Sequence, residues 1–335
     1  MEVSDYAAKL HEDSFVADLH ADTLMWATRG YDMLKKHEPW LPLSPIRNHI
    51  DVPRLQEGGV NLQAFGIVTN YWSNKMRCAK RQVYHLHDLV DSCPSIDWAL
   101  SAEEAEKLQE CGKIGVFLGM EGAHPLEGRV ENLEWFADKG VRYVGLSHFN
   151  STEAAYSSLL PWNRDKPLTS FGRELIHAMN ELGVIVDLAH INRAGFFDAV
   201  DTSERPVIVS HTGVYSCYPS SRNIDDEQIM AVASSGGVVG IMFAPHFIDG
   251  SLSCSVERVV DHIDHVKNFV GIDYVALGSD FDGFITLPRE MKDVRDLSAI
   301  THVMLDRGYS EEEVQKVLGK NFLRVYRETS REYRY

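Results

Sequence analysis

Nowhere does this chain of 335 residues run through the ~18 uninterrupted apolar residues that a membrane-spanning helix needs, so a helical membrane span is excluded. It has five cysteines, Cys78, Cys93, Cys111, Cys217 and Cys254, an odd number with no C-x-x-C pair. A disulfide framework and a cysteine zinc site are therefore not expected, and reduced thiols are. Lys and Arg together number 33 against 49 Asp and Glu, giving a formal net charge of −16, and the basic residues form no cluster in the sequence. A nucleic-acid face needs such a cluster, so the acidity speaks for solubility and not for a nucleic-acid partner. No Gly-x-Gly-x-x-Gly follows the first apolar run, which argues against a dinucleotide fold. Repeats, low-complexity tracts and Gly/Ser/Pro-rich linkers are also missing, so one domain spanning 1–335 is expected. The amino-terminal MEVSDYAAKLHEDSF has no basic stretch leading into an apolar core, and the carboxyl-terminal RVYRETSREYRY has no lipidation motif or anchor tail. The expectation is a cytoplasmic protein with no membrane attachment.

What the chain does have is 44% hydrophobic residues, gathered into eight short apolar runs rich in β-branched residues. They lie near 15–22, 60–69, 113–121, 141–148, 183–190, 206–211, 237–243 and 274–280. Helix-like stretches alternate with them. SAEEAEKLQECG carries a capping-box pattern and ends in Gly, and VENLEWFADKG and FGRELIHAMNELG repeat apolar residues at three-and-four spacing before a Gly stop. This alternation predicts βα units and a parallel sheet, either open or closed. The polar residues choose between the two. They fall at the ends of strands one, three, four, five, six and eight, and only a closed ring brings those ends together. The fold expected is α/β, a (β/α)8 barrel of the metal-dependent amidohydrolase type. Such a barrel needs about 250 residues, so the excess is expected in long loops near 25–58 and 70–100.

The residues at those strand ends are metal-binding types. His20 and Asp22 lie in FVADLHADTL, Glu121 in GVFLGMEG, His148 in YVGLSH, His190 in VIVDLAH, His211 in VIVSHT and Asp280 in VALGSDFDG. Alternate strand residues share a face, so His20 and Asp22 form a chelating H-x-D pair. Glu121 has two oxygens and can bridge two ions, while His190 and His211 supply neutral imidazoles to the second. Mixed nitrogen and oxygen donors suit zinc best, with manganese or cobalt as alternatives. Two ions ~3.5–4 Å apart can hold one hydroxide between them and polarise a carbonyl. Any one of these residues alone reads more readily as a cap or a satisfied core group. Six strands each ending in such a group do not, because burying those groups without a partner is costly.

Three other motifs carry less. His85 and His87 form an H-x-H in RQVYHLHDLVDS, which reads as helix, where residues two apart face different ways. His262 and His265 have helical spacing and read as an exposed polar surface. Asp280 and Asp282 resemble a calcium loop, but its later ligand positions hold Phe284, Thr286 and Met291.

LHADTLMW, GMEGAHPLE, VRYVGLSHFN, LGVIVDLAHI, PVIVSHTGVYS, SRNIDDEQI and LGSDFDGF occur in the order seen in the renal or membrane dipeptidase family of zinc peptidases. GYSEEEVQKVLGKNFLRVY resembles that family's closing helix. The resemblance runs from about residue 15 to 327. It implies an amidohydrolase-type barrel with two zinc ions per chain, acting on small dipeptides, often with a D-residue at the carboxyl-terminal position. His20, Asp22 and Glu121 would hold one zinc, and Glu121, His190 and His211 the other. His148 would contact substrate and stabilise the oxyanion, Arg222 would bind the substrate's terminal carboxylate, and Asp280 would bind substrate and move the proton. The chemistry of the residues agrees: a metal-bridging hydroxide attacks the peptide carbonyl, and the planar fork of Arg222 suits a free carboxylate. A homodimer stays open. Two positions depart from the family pattern. Phe149 follows His148 where an Asn is usual, and Ala244 stands where a Tyr often lies.

Two alternatives accompany this expectation. One is another amidohydrolase-type enzyme acting on a different amide, a lactone or a β-lactam, although many of those begin with H-x-H and bridge through a modified Lys. The other is a non-catalytic binding barrel, whose signature would be a lost metal ligand or a lost Asp280.

Overall fold

The computed structural model describes residues 1–38, 46–69 and 74–330. Residues 39–45 of the expected loop 25–58, and 70–73 of the expected loop 70–100, lie outside the described residues. The strands are β1 Ala17–Ala21, β2 Leu62–Val68, β3 Ile96–Trp98, β4 Ile114–Glu121, β5 Val141–Gly145, β6 Ile185–Asp187, β7 Ile208–Thr212, β8 Val238–Ile241 and β9 Val275–Leu277. All the pairings are parallel, in the order β1-β2-β4-β5-β6-β7-β8-β9. The segment after β9 closes the ring onto β1: Ala21 bridges Phe281, the Asp280 N–H donates to His20 O at 3.1 Å, and the Asp22 N–H donates to Phe281 O at 2.8 Å.

Each of the eight apolar runs contains one strand of this ring. The ninth strand, β3, was not anticipated. It pairs with residues 114–116 of β4, below the stretch that meets β5. Its three residues are too few to show a period. The 70–100 segment is largely regular, because the helix Lys75–Ser92 precedes β3. The anticipated caps hold with one change. Ser101 Oγ accepts from the Glu104 N–H at 3.2 Å, but Glu104 Oε2 reaches back to the Leu100 N–H, 2.7 Å away, instead of the Ser101 N–H.

Aromatic packing closes the lower end of the ring. Phe117 on β4 packs between Tyr143 on β5 and both Phe322 and Tyr326 of the closing helix Asn321–Thr329, all fully buried. Both phenols are satisfied, Tyr143 donating to Leu19 O at 3.0 Å and Tyr326 to Ala99 O at 2.7 Å. Close approach makes two glycines necessary here. A Cβ on Gly119 would lie 1.9 Å from the Tyr143 ring, and one on Gly319 would lie 2.5 Å from Phe15 O. Aromatic packing thus fixes the barrel below and leaves the upper rim for polar groups.

The His262 expectation is corrected. The side chain is fully buried, with Nδ1 accepting from the Val214 N–H at 2.8 Å and Nε2 donating to Ile248 O at 2.9 Å. It ties together the segments that follow β7 and β8, and a backbone partner of this kind has no sequence signature. His265, on the next turn, is partly exposed and pairs with Asp226 at 2.8 Å. His87 lies on the helix Lys75–Ser92, as expected, and meets Lys139 O.

Candidate metal centre and active cleft

The strand ends bring His20, Asp22, Glu121, His148, His190, His211 and Asp280 into one cluster at the upper rim. Glu121 sits at its middle. Its Oε1 lies 2.9 Å from His190 Nε2, 3.3 Å from His211 Nε2 and 3.6 Å from His20 Nε2, and its Oε2 lies 3.3 Å from His148 Nε2. His20 Nε2 is also 3.1 Å from Asp22 Oδ1, and the His190 and His211 Nε2 atoms are 3.0 Å apart. The rings of His20 and His211 stack at 4.0 Å. His190 and Asp280 reach the cluster with left-handed backbone, at φ 65° and 62°, a conformation seldom adopted outside Gly, Asn, Asp and His.

Hydrogen bonds outside the cluster decide which way the ring nitrogens point. Tyr143 spends its only proton on Leu19 O, so at 2.8 Å from His20 Nδ1 it must accept from that atom. Ser210 Oγ likewise donates to Asp187 Oδ2 at 2.7 Å and so accepts from His211 Nδ1 at 2.9 Å. In the neutral rings both Nε2 atoms therefore aim lone pairs into the cluster. A second carboxylate, Asp18, accepts from the Ser279 N–H, Ser279 Oγ and Gln63 Nε2, and fixes the rim beside β1.

The electrostatics follow from burial. It holds His148, His190 and His211 well below the usual imidazole range, keeping them neutral. Burial also works against charging His20, but Glu121 and Asp22 overcome it and pull that imidazole up to about 10. Burial and the neighbouring Asp22 push the Glu121 carboxyl well up, and they raise Asp280 to about 7 against the pull of His20 and Arg222. The field thus favours positive charge among these atoms, which a proton or a metal ion can supply.

The donor set fits metal ions. His20 Nε2, Asp22 Oδ1 and Glu121 Oε2 are buried without a hydrogen-bond partner, a costly arrangement unless a cation is shared. Bonds of about 2.0–2.1 Å at tetrahedral angles set donor atoms about 3.3 Å apart, close to the 2.9–3.6 Å separations here.

Two cavities meet at the cluster and share His190 and Arg222. The larger, about 430 Å³, is lined by Asp22, Glu121, His148 and Asp280 with apolar walls that include Met25, Val68 and Phe247. Phe149 and Ala244, the two departures from the family pattern, both line it. The smaller, about 280 Å³, lies between the segments after β6 and β7. Arg222 is buried, and one of its nitrogens donates to His211 O at 2.6 Å. Asp282 takes a structural part, accepting from Thr23 Oγ1 at 2.6 Å and from the His49 N–H at 2.7 Å. Tyr143, Ser210, Asp187, Asp18, Gln63 and Ser279 escaped the sequence reading. For Tyr143 a signal existed, since it lies two residues before Gly145, on the same strand face, in VRYVG.

An eight-stranded parallel barrel that gathers histidines and carboxylates at one rim defines a metal-dependent hydrolase. Over residues 4–334 the chain matches the membrane dipeptidase family, peptidase family M19, and it belongs to that family. It is 31% identical over 324 residues to dipeptidase tcpJ of Claviceps purpurea (strain 20.1), covering 91% of this chain and 75% of that protein. Among solved structures it is similar to a metallopeptidase from Rhodobacter sphaeroides liganded with a phosphinate mimic of the dipeptide L-Ala-D-Ala. The identity is 25%, the TM-score 0.86, and the match covers 95% of this chain and all of that one. It is also similar to dipeptidase AC of family M19, at 26% identity and TM-score 0.86, over 95% of this chain and 99% of the other. The protein is a metallo-dipeptidase, and among its described residues no helix is long and apolar enough to cross a membrane.

Proposed function

We propose that residues 1–335 form one catalytic barrel that cleaves dipeptides with a free terminal carboxylate, L-Xaa-D-Xaa dipeptides among them, using two zinc ions. The observation that carries this reading is the convergence of the His20, His190 and His211 Nε2 atoms on Glu121 Oε1. His20, Asp22 and Glu121 would hold one ion, and Glu121, His190 and His211 the other. When bound, the ions make water nucleophilic near neutral pH and polarise the scissile carbonyl.

The protein's own groups do the rest. Arg222 pairs with the terminal carboxylate, and its burial strengthens that pairing. His148, neutral in its buried position, contacts the carbonyl oxygen as charge develops there. Asp280, buried at the edge of the cluster, takes a proton from the attacking water and returns it to the leaving nitrogen. Atoms balance: one water adds across the C–N bond, its oxygen forming a new carboxylate and both its protons ending on the leaving nitrogen, which departs as an ammonium group. The two cavities that meet at the cluster suit a substrate with two side chains. The phosphinate mimic of L-Ala-D-Ala bound by the Rhodobacter sphaeroides relative supports a D-residue at the carboxyl-terminal position.

The test is release of free amino acids from L,L- and L,D-dipeptides by zinc-loaded protein, chelated protein and Asp280→Asn. The expected result is metal-dependent cleavage that includes L,D substrates, with kcat falling about 10²–10⁴-fold in the variant. Zinc-loaded protein that cleaves no dipeptide would overturn the reading.

A further inference from the structure

A third cavity, of about 440 Å³, opens beside the active cleft and shares Met25 and Val68 with it as a common wall. Among the described residues its charged lining consists of Arg29, Arg77 and Arg81, with no carboxylate. In a chain of formal net charge −16 such a grouping is unusual. Among the described residues none of the three arginines forms an ion pair. Arg29 Nη1 donates to Met25 O at 2.7 Å and Arg81 Nη2 to Thr28 O at 2.6 Å, bonds that aim the two guanidinium groups and leave further N–H groups on each. Gln82 fixes the helix that carries Arg77 and Arg81 to the end of β2, with its Oε1 accepting from the Val68 N–H at 3.1 Å and its Nε2 donating to Val68 O at 2.7 Å. The arginines are thus held at a set distance from the wall they share with the cleft.

We propose that this pocket is an anion subsite of the active cleft, taking a carboxylate on the side chain of the substrate's amino-terminal residue. The inference rests on the dipeptidase reading and adds a substrate preference to it. The argument from position is topological. In the ring order β1-β2-β4-β5-β6-β7-β8-β9, β2 and β7 stand opposite each other. Arg222, the group for the terminal carboxylate, follows β7, whereas the arginine pocket follows β2. A dipeptide anchored at Arg222 with its scissile bond over the cluster extends its amino-terminal residue across the rim toward Met25 and Val68. Guanidinium groups beyond that wall favour a carboxylate over a neutral amide of the same shape.

The test compares kcat/KM of the metal-loaded, full-length enzyme for L-Glu-L-Ala and L-Gln-L-Ala, which differ in one charge. The expected preference for L-Glu-L-Ala is about tenfold, carried by KM and shrinking as ionic strength rises. The Arg77→Ala/Arg81→Ala double variant, at exposed positions, should bring the ratio close to one, and Arg77→Lys/Arg81→Lys should keep part of it. Inorganic phosphate should compete more strongly against L-Glu-L-Ala than against L-Gln-L-Ala, since only the former uses the arginine pocket in addition to Arg222 and the metal centre. An equal rate on both substrates, a ratio that survives the alanine double variant, or phosphate acting equally on both would each overturn the subsite. Equilibrium binding of the same pair to metal-free protein carries the same comparison without turnover. There, a preference abolished in the alanine variant keeps the subsite even if hydrolysis itself is absent, and equal binding removes it.

Discussion

At the lower end of the barrel, Phe117 on β4 packs against Tyr143 on β5 and against Phe322 and Tyr326, and both phenols end on a carbonyl. At the upper end β4 finishes in Glu121, on the same strand face as Phe117, and the chain leaving β5 reaches His148, with nitrogen and oxygen acceptors crowded together. The strands and the alternation are the same. The difference lies in what each end can satisfy by itself: the lower end closes with protein groups alone, while the upper end keeps buried donor atoms that suit a cation. Stability and function are therefore expected to respond to different substitutions.

The largest effect is expected from Glu121→Ala, which removes the carboxylate shared by three imidazoles. Dipeptide hydrolysis should fall by more than about 10³-fold and bound metal should drop, while the thermal transition of the chelated protein stays close to wild type. Metal analysis and amino-acid release check this. At the opposite end, Phe117→Ala leaves a cavity in a fully buried aromatic cluster and should cost about 3–5 kcal/mol, seen as a lower denaturant midpoint, with metal per folded chain retained.

His262 separates the two ends by pH. Burial, opposed by the bond to Ile248 O, lowers its folded pKa to about 4, below an unfolded value of about 6.5. The unfolded chain binds the proton more readily, so the stabilisation is complete above about pH 6.5 and is lost as pH falls toward about 4, an amount of about 3 kcal/mol. Denaturation of chelated protein across that window should show the decline, and His262→Ala should make it shallower, the buried neutral His148, His190 and His211 contributing the rest. The smallest effect is expected from Tyr143→Phe. It leaves His20 Nδ1 and Leu19 O without their partner and should weaken metal binding about 10–100-fold, with a loss of about 1–3 kcal/mol in stability, smaller than that of Phe117→Ala.

Much of the upper rim was legible because chemistry and periodicity coincide there. Each of the eight apolar runs contains a strand, and the residues closing those runs, His20, Asp22, Glu121, His190 and His211, converge on one point. The groups that aim them were not legible. Tyr143 and Asp18 act through bonds to residues distant in sequence or to backbone, and Ser210, although next to His211, is turned by Asp187 on another strand, which no local spacing records. His262 failed for the same reason, since its partners are the main chain of Val214 and Ile248. The arginine pocket has a similar origin. Lys75, Arg77, Lys80 and Arg81 do stand within seven residues, a local grouping the expectation passed over, but Arg29 joins Arg77 and Arg81 only where the β1–β2 side of the rim brings them together.

The central claim is that the upper rim is completed by metal ions. Its most direct test is titration of metal-free protein with zinc while L-Ala-D-Ala hydrolysis and bound zinc are measured together. Activity rising as two equivalents bind, and neither event in Glu121→Ala, is the expected result. Full hydrolysis in the chelated protein, or saturation of activity at a single equivalent, would contradict the two-ion account.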